Sequence, residues 1–406
     1  MFKTWKKNTL YISFMQIILL IVNFFLITII SREYGAEIYG EYASAKSLSV
    51  LLGTAIVLSL ALVVTRTSSN IEKFDKNLFY TTYKTIIRNT ILASVLVVPL
   101  SAIFGRNYIY VFIFLLGFVF NEMLHVALAF HQSKGDFVIS SKQIILRTVI
   151  YGIGGWLIIY FQYSIFWVIV FQTFLLLIFY FVANNSLPNE ESNTDNTYTS
   201  KELRKSGRKM VLTTLSAALI SELDIVILGV FYSGPILGVL AWSRRILEGL
   251  HQLVGASLDI VFPEISKIKN ISEINEIRNK LKLVILVSLF IPLLYLVLEN
   301  AANNIFINVL GTEFIDLASI FRVVIFSLPF MLWSRVNIIF ARAMHFEINL
   351  FKVVITAAAI SYLIYFFISQ YNLFSPEFGI LSSQITFSLF TSVFVGRQIK
   401  VGIESR

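Results

Sequence analysis

The stretch NNSLPNEESNTDNTYTSKELRKSGRK, residues 184–209, divides this chain. It is polar, contains a proline and shows no apolar periodicity, so it reads as a loop or linker. Outward from it in both directions the sequence turns apolar. Before it, runs of membrane-spanning length fall near residues 10–30, 43–64, 85–104, 108–130, 138–160 and 163–183. After it they fall near 210–232, 236–261, 281–299, 317–340, 349–369 and 376–396. About 20 apolar residues cross a bilayer as a helix. The pattern therefore predicts an all-α polytopic membrane protein of about 12 transmembrane helices in two six-helix lobes around a central cavity. Its parts are residues 1–183, a cytoplasmic linker 184–209, and residues 210–406.

Composition supports this and excludes a water-soluble fold. Of 406 residues, 57% are hydrophobic and 14% charged, against about 45 to 50% and about 25% in a soluble domain. The mean hydropathy of +0.77 means more apolar surface than one core can hide. Lys3, Lys6 and Lys7 precede the run Leu10 to Ile30 in the charge order of a signal peptide. That run would rise about 31 Å as a helix, the length of a retained first span. The chain has no Cys, and its four His show no metal-ligand spacing, so neither metal nor cofactor is expected.

The charges set the orientation. With both termini cytosolic, 24 Lys and Arg lie in the inner segments and only Arg32 and Arg106 in the outer ones. This positive-inside asymmetry accounts for the net charge of +9, and no nucleic-acid partner is needed. Seven cations remain inside the spans: Lys46, Arg88, Arg147, Arg244, Arg245, Arg322 and Arg335. A central Arg or Lys costs roughly 2.5 to 3.5 kcal/mol facing lipid, so such residues tend to face a bundle interior or an aqueous pathway. Arg88 and Arg147 sit near cytosolic ends, where snorkelling suffices.

A weak internal repeat marks the start of each half. Tyr34, Ile38, Gly40, Ala43, Lys46 and Leu48 match Tyr232, Ile236, Gly238, Ala241, Arg244 and Ile246 at a constant offset of 198. Equivalent placement of Lys46 and Arg244 is what a transporter repeat would give. In the eighth span Arg244, Glu248, His251, Gly255 and Asp259 share one helical face. That stripe reads either as the wall of a wet cavity or as internal pairing of Arg244 or Arg245 with Glu248. Glu222 and Asp224, near Ser216 and Ser221 in the seventh span, are candidates for proton or sodium coupling or for pairing with an Arg of another helix. Glu122 and His125, with Gln16 and Asn23, are weaker polar candidates. Cations lining a midplane cavity imply an anionic substrate, and Arg suits diphosphate through bidentate hydrogen bonds.

Several short motifs then carry a resemblance. Arg32-Glu33-Tyr34-Gly35 with Tyr39-Gly40, Asp224 followed by Leu228-Gly229, Gly238 with Ala241 and Arg244, and Phe262-Pro263-Glu264-Ile265-Ser266 are similar to polysaccharide flippases. These belong to the multidrug/oligosaccharidyl-lipid/polysaccharide exporter superfamily, of the Wzx type that serves O-antigen and capsule repeat units. Tyr34 stands where Leu is commoner in that family. The resemblance implies a MATE-like fold and a cargo of undecaprenyl diphosphate bearing a short oligosaccharide, moved by alternating access without chemistry on it. It implies the bilayer of a bacterial inner membrane, with a polysaccharide polymerase or chain-length machinery as a partner, and proton coupling that Asp224 could serve. It also makes Arg32, Lys46, Arg244 and Arg322 the diphosphate or sugar contacts to test. Two rival readings stand beside it, a cation-coupled drug antiporter of the same superfamily and a membrane-embedded polymerase or ligase. The first would need an acidic apolar cavity, and the second a long outer loop.

Overall fold

A computed structural model of the chain describes residues 2–69, 74–134, 136–188, 200–259, 288–343, 346–371 and 374–404, with Leu281 and Leu286. Its regular elements are helices: α1 Phe2–Val57, α2 Leu60–Ser69, α3 Lys76–Ile103, α4 Tyr108–Ser133, α5 Phe137–Tyr160, α6 Ile165–Asn185, α7 Ser200–Phe231 and α8 Pro235–Asp259. They continue with α9 Phe290–Leu310, α10 Leu317–Val324, α11 Leu328–Ala343, α12 Glu347–Tyr371 and α13 Glu377–Glu404. Ten helical segments among the described residues are long and apolar enough to cross a membrane. The first, Phe14–Val57, is long enough at 44 residues to hold two of the runs read from the sequence. The chain is a multi-pass membrane protein. Large apolar side chains point outward along it, with Leu92 66%, Val95 75% and Val297 81% exposed, as lipid-facing surface requires.

The helices pack as two units. One comprises residues 1–34 and 48–211, the other residues 35–47 and 212–406. The first has a core at one end where Val57, Leu60, Val64, Leu78, Ile86, Val126 and Leu203 are buried together. Asp75 starts α3 there, its carboxylate accepting from the Leu78 amide at 3.1 Å. Asn107 does the same for α4 through the Ile109 amide at 3.0 Å. Small residues set close spacing elsewhere in this unit. A Cβ at Gly155 would lie 2.8 Å from Leu26, so α1 approaches α5 where glycine leaves room.

Three boundaries differ from the sequence reading. Residues 31–42, expected as a turn, are helical apart from a break at Gly35, where φ is 82° and ψ 172°. One glycine turns the chain and AEIYGEYASAK restarts a helix at once, so the second span begins well before residue 43. The linker is also shorter than expected, because α7 starts at Ser200. Leu203 is buried in the core of the first unit, and Arg204 donates to Asn89 Oδ1 at 2.7 Å. Those contacts stabilise a helical turn that polar composition alone does not announce. Finally, α9 continues to Leu310, beyond the expected end at residue 299, through Glu299, Asn300, Asn303 and Asn304. Residues 189–199 of the linker and the motif at 262–266 lie outside the described residues.

Candidate functional site

The second unit concentrates the buried charge. Its framework is the repeat point, where two stretches related by the offset of 198 meet inside one unit. Gly40 lies against Gly238 so closely that a Cβ on Gly40 would come within 2.8 Å of the Gly238 nitrogen. A Cβ on Gly238 would overlap the backbone of Ala36, 2.6 Å from its carbonyl carbon. Tyr39 packs on Trp242 with ring centroids 5.8 Å apart. Both stretches restart a helix after a positive-φ glycine, Gly35 in one and Gly234, with φ 65°, in the other. The Ala36 amide, unpaired by that restart, donates to Glu313 Oε2 at 2.7 Å. Glu313→Ala is expected to lower stability by about 0.5 to 2 kcal/mol, the worth of an N-terminal cap. Thermal unfolding in detergent checks this, with Glu313→Gln expected to retain part of the loss.

Beside this framework Arg244 and Asp224 form a sealed pair. Both side chains are essentially inaccessible, at 0% and 1%, with Arg244 Nε 3.3 Å from Asp224 Oδ2. The guanidinium also donates to the Ile220 and Ser221 carbonyls at 3.1 and 3.0 Å. Asp224 accepts from Tyr365 at 3.2 Å, from Gln384 at 2.6 Å and from the Ser383 hydroxyl. Nε and Nη2 of the cation and both carboxylate oxygens have oxygen or nitrogen partners, and Nη1 lies 3.5 Å from the weakly accepting Met331 Sδ, which makes a buried ion pair tolerable. The sequence reading of Arg244 as a wet cavity wall is corrected here. Its four-residue spacing to Glu248 is real, but the side chain turns toward α7 and packs dry.

Arg245, one residue on, has the opposite setting. It binds Glu248 at 2.5 Å and Glu222 at 3.5 Å, and the three side chains keep 14%, 18% and 9% of their surface. Ser47, which the repeat offset makes equivalent to Arg245, donates to Glu222 Oε2 at 2.6 Å. Gln252 donates to Glu248 Oε1 at 3.3 Å. Two carboxylates around one Arg leave the trio net negative, and Lys46, half-buried with its ammonium 6.0 Å from the Tyr42 ring centre, supplies a second cation on the adjoining helix. This set is only partly exposed, with Glu222 itself buried, but it is less completely enclosed than the Arg244–Asp224 pair.

The sequence matches the polysaccharide biosynthesis protein family over residues 100–319. The chain belongs to that family. No curated protein sequence matches it. Among solved structures it is similar to the lipid II flippase MurJ in an inward closed conformation, at 16% identity over 97% of this chain and 87% of that one, TM-score 0.67. It is similar to the MATE multidrug transporter DinF-BH at 12% identity, covering 97% and 95%, TM-score 0.66. An inward-facing multidrug resistance MATE family transporter of the MOP superfamily gives 12% identity, 95% of each chain and TM-score 0.64. These likenesses give the family member a MATE-type helical fold.

The remaining sequence-derived positions scatter through this family member. Arg322 is 52% exposed and, from α10, pairs with Glu299 of α9 at 3.5 Å. Arg32 is exposed, and Arg335 is half-buried on α11. His251 is half-buried, and its Nε2 finds no hydrogen-bond partner among the described residues. The Asp259 side chain lies outside the described residues. Glu122 is half-buried in the first unit, next to Asn121, which accepts from Arg147 at 2.6 Å. Sequence reasoning missed Ser47, Glu313, Tyr365, Ser383 and Gln384. The run Ser382-Ser383-Gln384 inside an apolar span was the visible signal for the last two.

Proposed function

We propose that this protein is a flippase that carries an undecaprenyl-diphosphate-linked oligosaccharide repeat unit across the bacterial cytoplasmic membrane for surface polysaccharide synthesis. Alternating access moves the cargo without chemistry on it. Membership of the polysaccharide biosynthesis family carries the reading. The partly exposed Arg245, Glu222 and Glu248 trio with Lys46 supports it from the geometry. A diphosphate competing for Arg245 would release a carboxylate able to take up a proton or sodium ion, so binding and coupling would share one group. Arg32, Arg322 and Arg335 remain proposed contacts for later stages of passage. Cytoplasmic termini follow from the distribution of Lys and Arg, and the polymerase and chain-length machinery would be the next users of the product.

The test is a deletion strain complemented with variants. Arg245→Ala is expected to cut surface glycan about tenfold or more while the protein still inserts, with lipid-linked repeat units accumulating on the inner leaflet. Arg245→Lys should recover only part, because an ammonium gives up the paired hydrogen bonds of a guanidinium. Normal glycan export in the deletion strain would end the flippase reading.

A further inference from the structure

The first unit holds a cavity of about 790 Å³ that the proposed transport site does not use. It lies between the start of α3 and the end of α6, with Phe74, Asn77, Tyr80 and Tyr83 on one side and Tyr180 and Asn184 on the other. The positive-inside pattern places both helix ends on the cytosolic side.

Its chemistry is selective. Tyr80 lines the cavity and is 66% exposed. The Tyr83 ring is 9% exposed and meets Tyr180 edge-on, at 5.3 Å and 79°. The Tyr83 hydroxyl is buried with no hydrogen-bond partner among the described residues, an orphan that costs free energy until something accepts or donates there. Asn77 Oδ1 accepts from Thr81 at 3.2 Å, which leaves its amide hydrogens to point elsewhere. Asn184 and Asn185 add two more carboxamides, and among the described lining residues there is one cation, Lys76, and no carboxylate. A lipid chain would leave the amides unsatisfied. Aromatic faces with carboxamides suit a ring that presents C–H bonds on one face and hydroxyls at its rim, because each amide both donates and accepts.

We propose that this cavity is a carbohydrate-binding site, holding one or two rings of the saccharide on the cytosolic side. In that role it rests on the flippase reading, as the place where the glycan is checked before the diphosphate engages. Tyr80 would stack against a ring, Asn77 and Asn184 would bind neighbouring hydroxyls, and a sugar hydroxyl would satisfy Tyr83.

Saturation-transfer NMR on the full chain in nanodiscs tests it. The probes are the methyl glycosides of glucose, galactose, N-acetylglucosamine, N-acetylgalactosamine and glucuronic acid. At least one is expected to receive saturation from the protein. Tyr80→Ala with Asn184→Ala should weaken that binding about tenfold or more, the scale of losing an aromatic anchor and a paired hydrogen bond. Tyr83→Phe, which removes only an oxygen, should weaken it by a smaller factor without lowering thermal stability. No transfer from any glycoside, or transfer indifferent to these variants, overturns the proposal. Arg245→Ala should leave glycoside binding intact. Binding that survives in a protein whose deletion leaves glycan export normal would sustain the pocket while ending the flippase reading, and the converse result would end the pocket alone.

Discussion

Replacing Asp224 with alanine is expected to destabilise the second unit by about 3 to 5 kcal/mol, because it strands a buried guanidinium. Arg244 has no accessible surface, and its Nε faces Asp224 at 3.3 Å. The Ile220 and Ser221 carbonyls would remain as acceptors, yet neither carries a countercharge. Tyr365, Ser383 and Gln384 would lose their shared acceptor in the same step. The loss should appear as a large fall in thermal midpoint and in the yield of folded protein. Removing both charges is the discriminating variant. Asp224→Leu with Arg244→Met should recover most of the stability, since apolar replacement of a whole buried pair is often neutral or favourable. If the double variant is also inactive in glycan export while stable, the pair has a role in transport beyond packing. If Asp224→Ala unfolds no more readily than the parent, the sealed pair is not what holds α7, α8, α12 and α13 together.

Gly238→Ala is expected to cost about 1 to 3 kcal/mol or more, although alanine is the better helix former. The added methyl would sit 2.6 Å from the carbonyl carbon and 2.9 Å from the Cα of Ala36, and backbone cannot rotate aside as a side chain can. Gly249, in the same helix, is the control, because nothing lies within 4 Å of a Cβ built there. Gly249→Ala should be neutral or stabilising by about 0.5 to 1 kcal/mol. Parallel thermal melts of the two variants separate packing from propensity, and equal shifts would remove the close approach at Gly238 from the account.

How much of this was legible beforehand follows from the kind of signal each feature leaves. Long apolar runs are a bulk property, so the spans, the all-helical fold and the membrane setting could be read directly. The matched glycines Gly40 and Gly238 could also be read, and the two lie against each other. What failed was direction within a helix. Arg244 and Arg245 are neighbours in sequence and point about 100° apart, and only packing decides that the first is fully sealed while the second keeps 14% of its side-chain surface. Turn chemistry was misjudged at residues 31–42, because one glycine with a distant carboxylate, Glu313, does what a loop of several residues was expected to do. Partners such as Tyr365 and Gln384 lie more than 140 residues from Asp224, and a single sequence carries no term linking them.

The contact between Gly40 and Gly238 bears on how movement passes between the two segments. Neither residue carries a side chain, so main chain meets main chain, with the Gly238 nitrogen 2.8 Å from a Cβ built on Gly40. Side chains that could rotate to absorb a displacement are missing at this point. A shift of the segment that follows Gly35 is therefore handed to the helix that follows Gly234 with little loss.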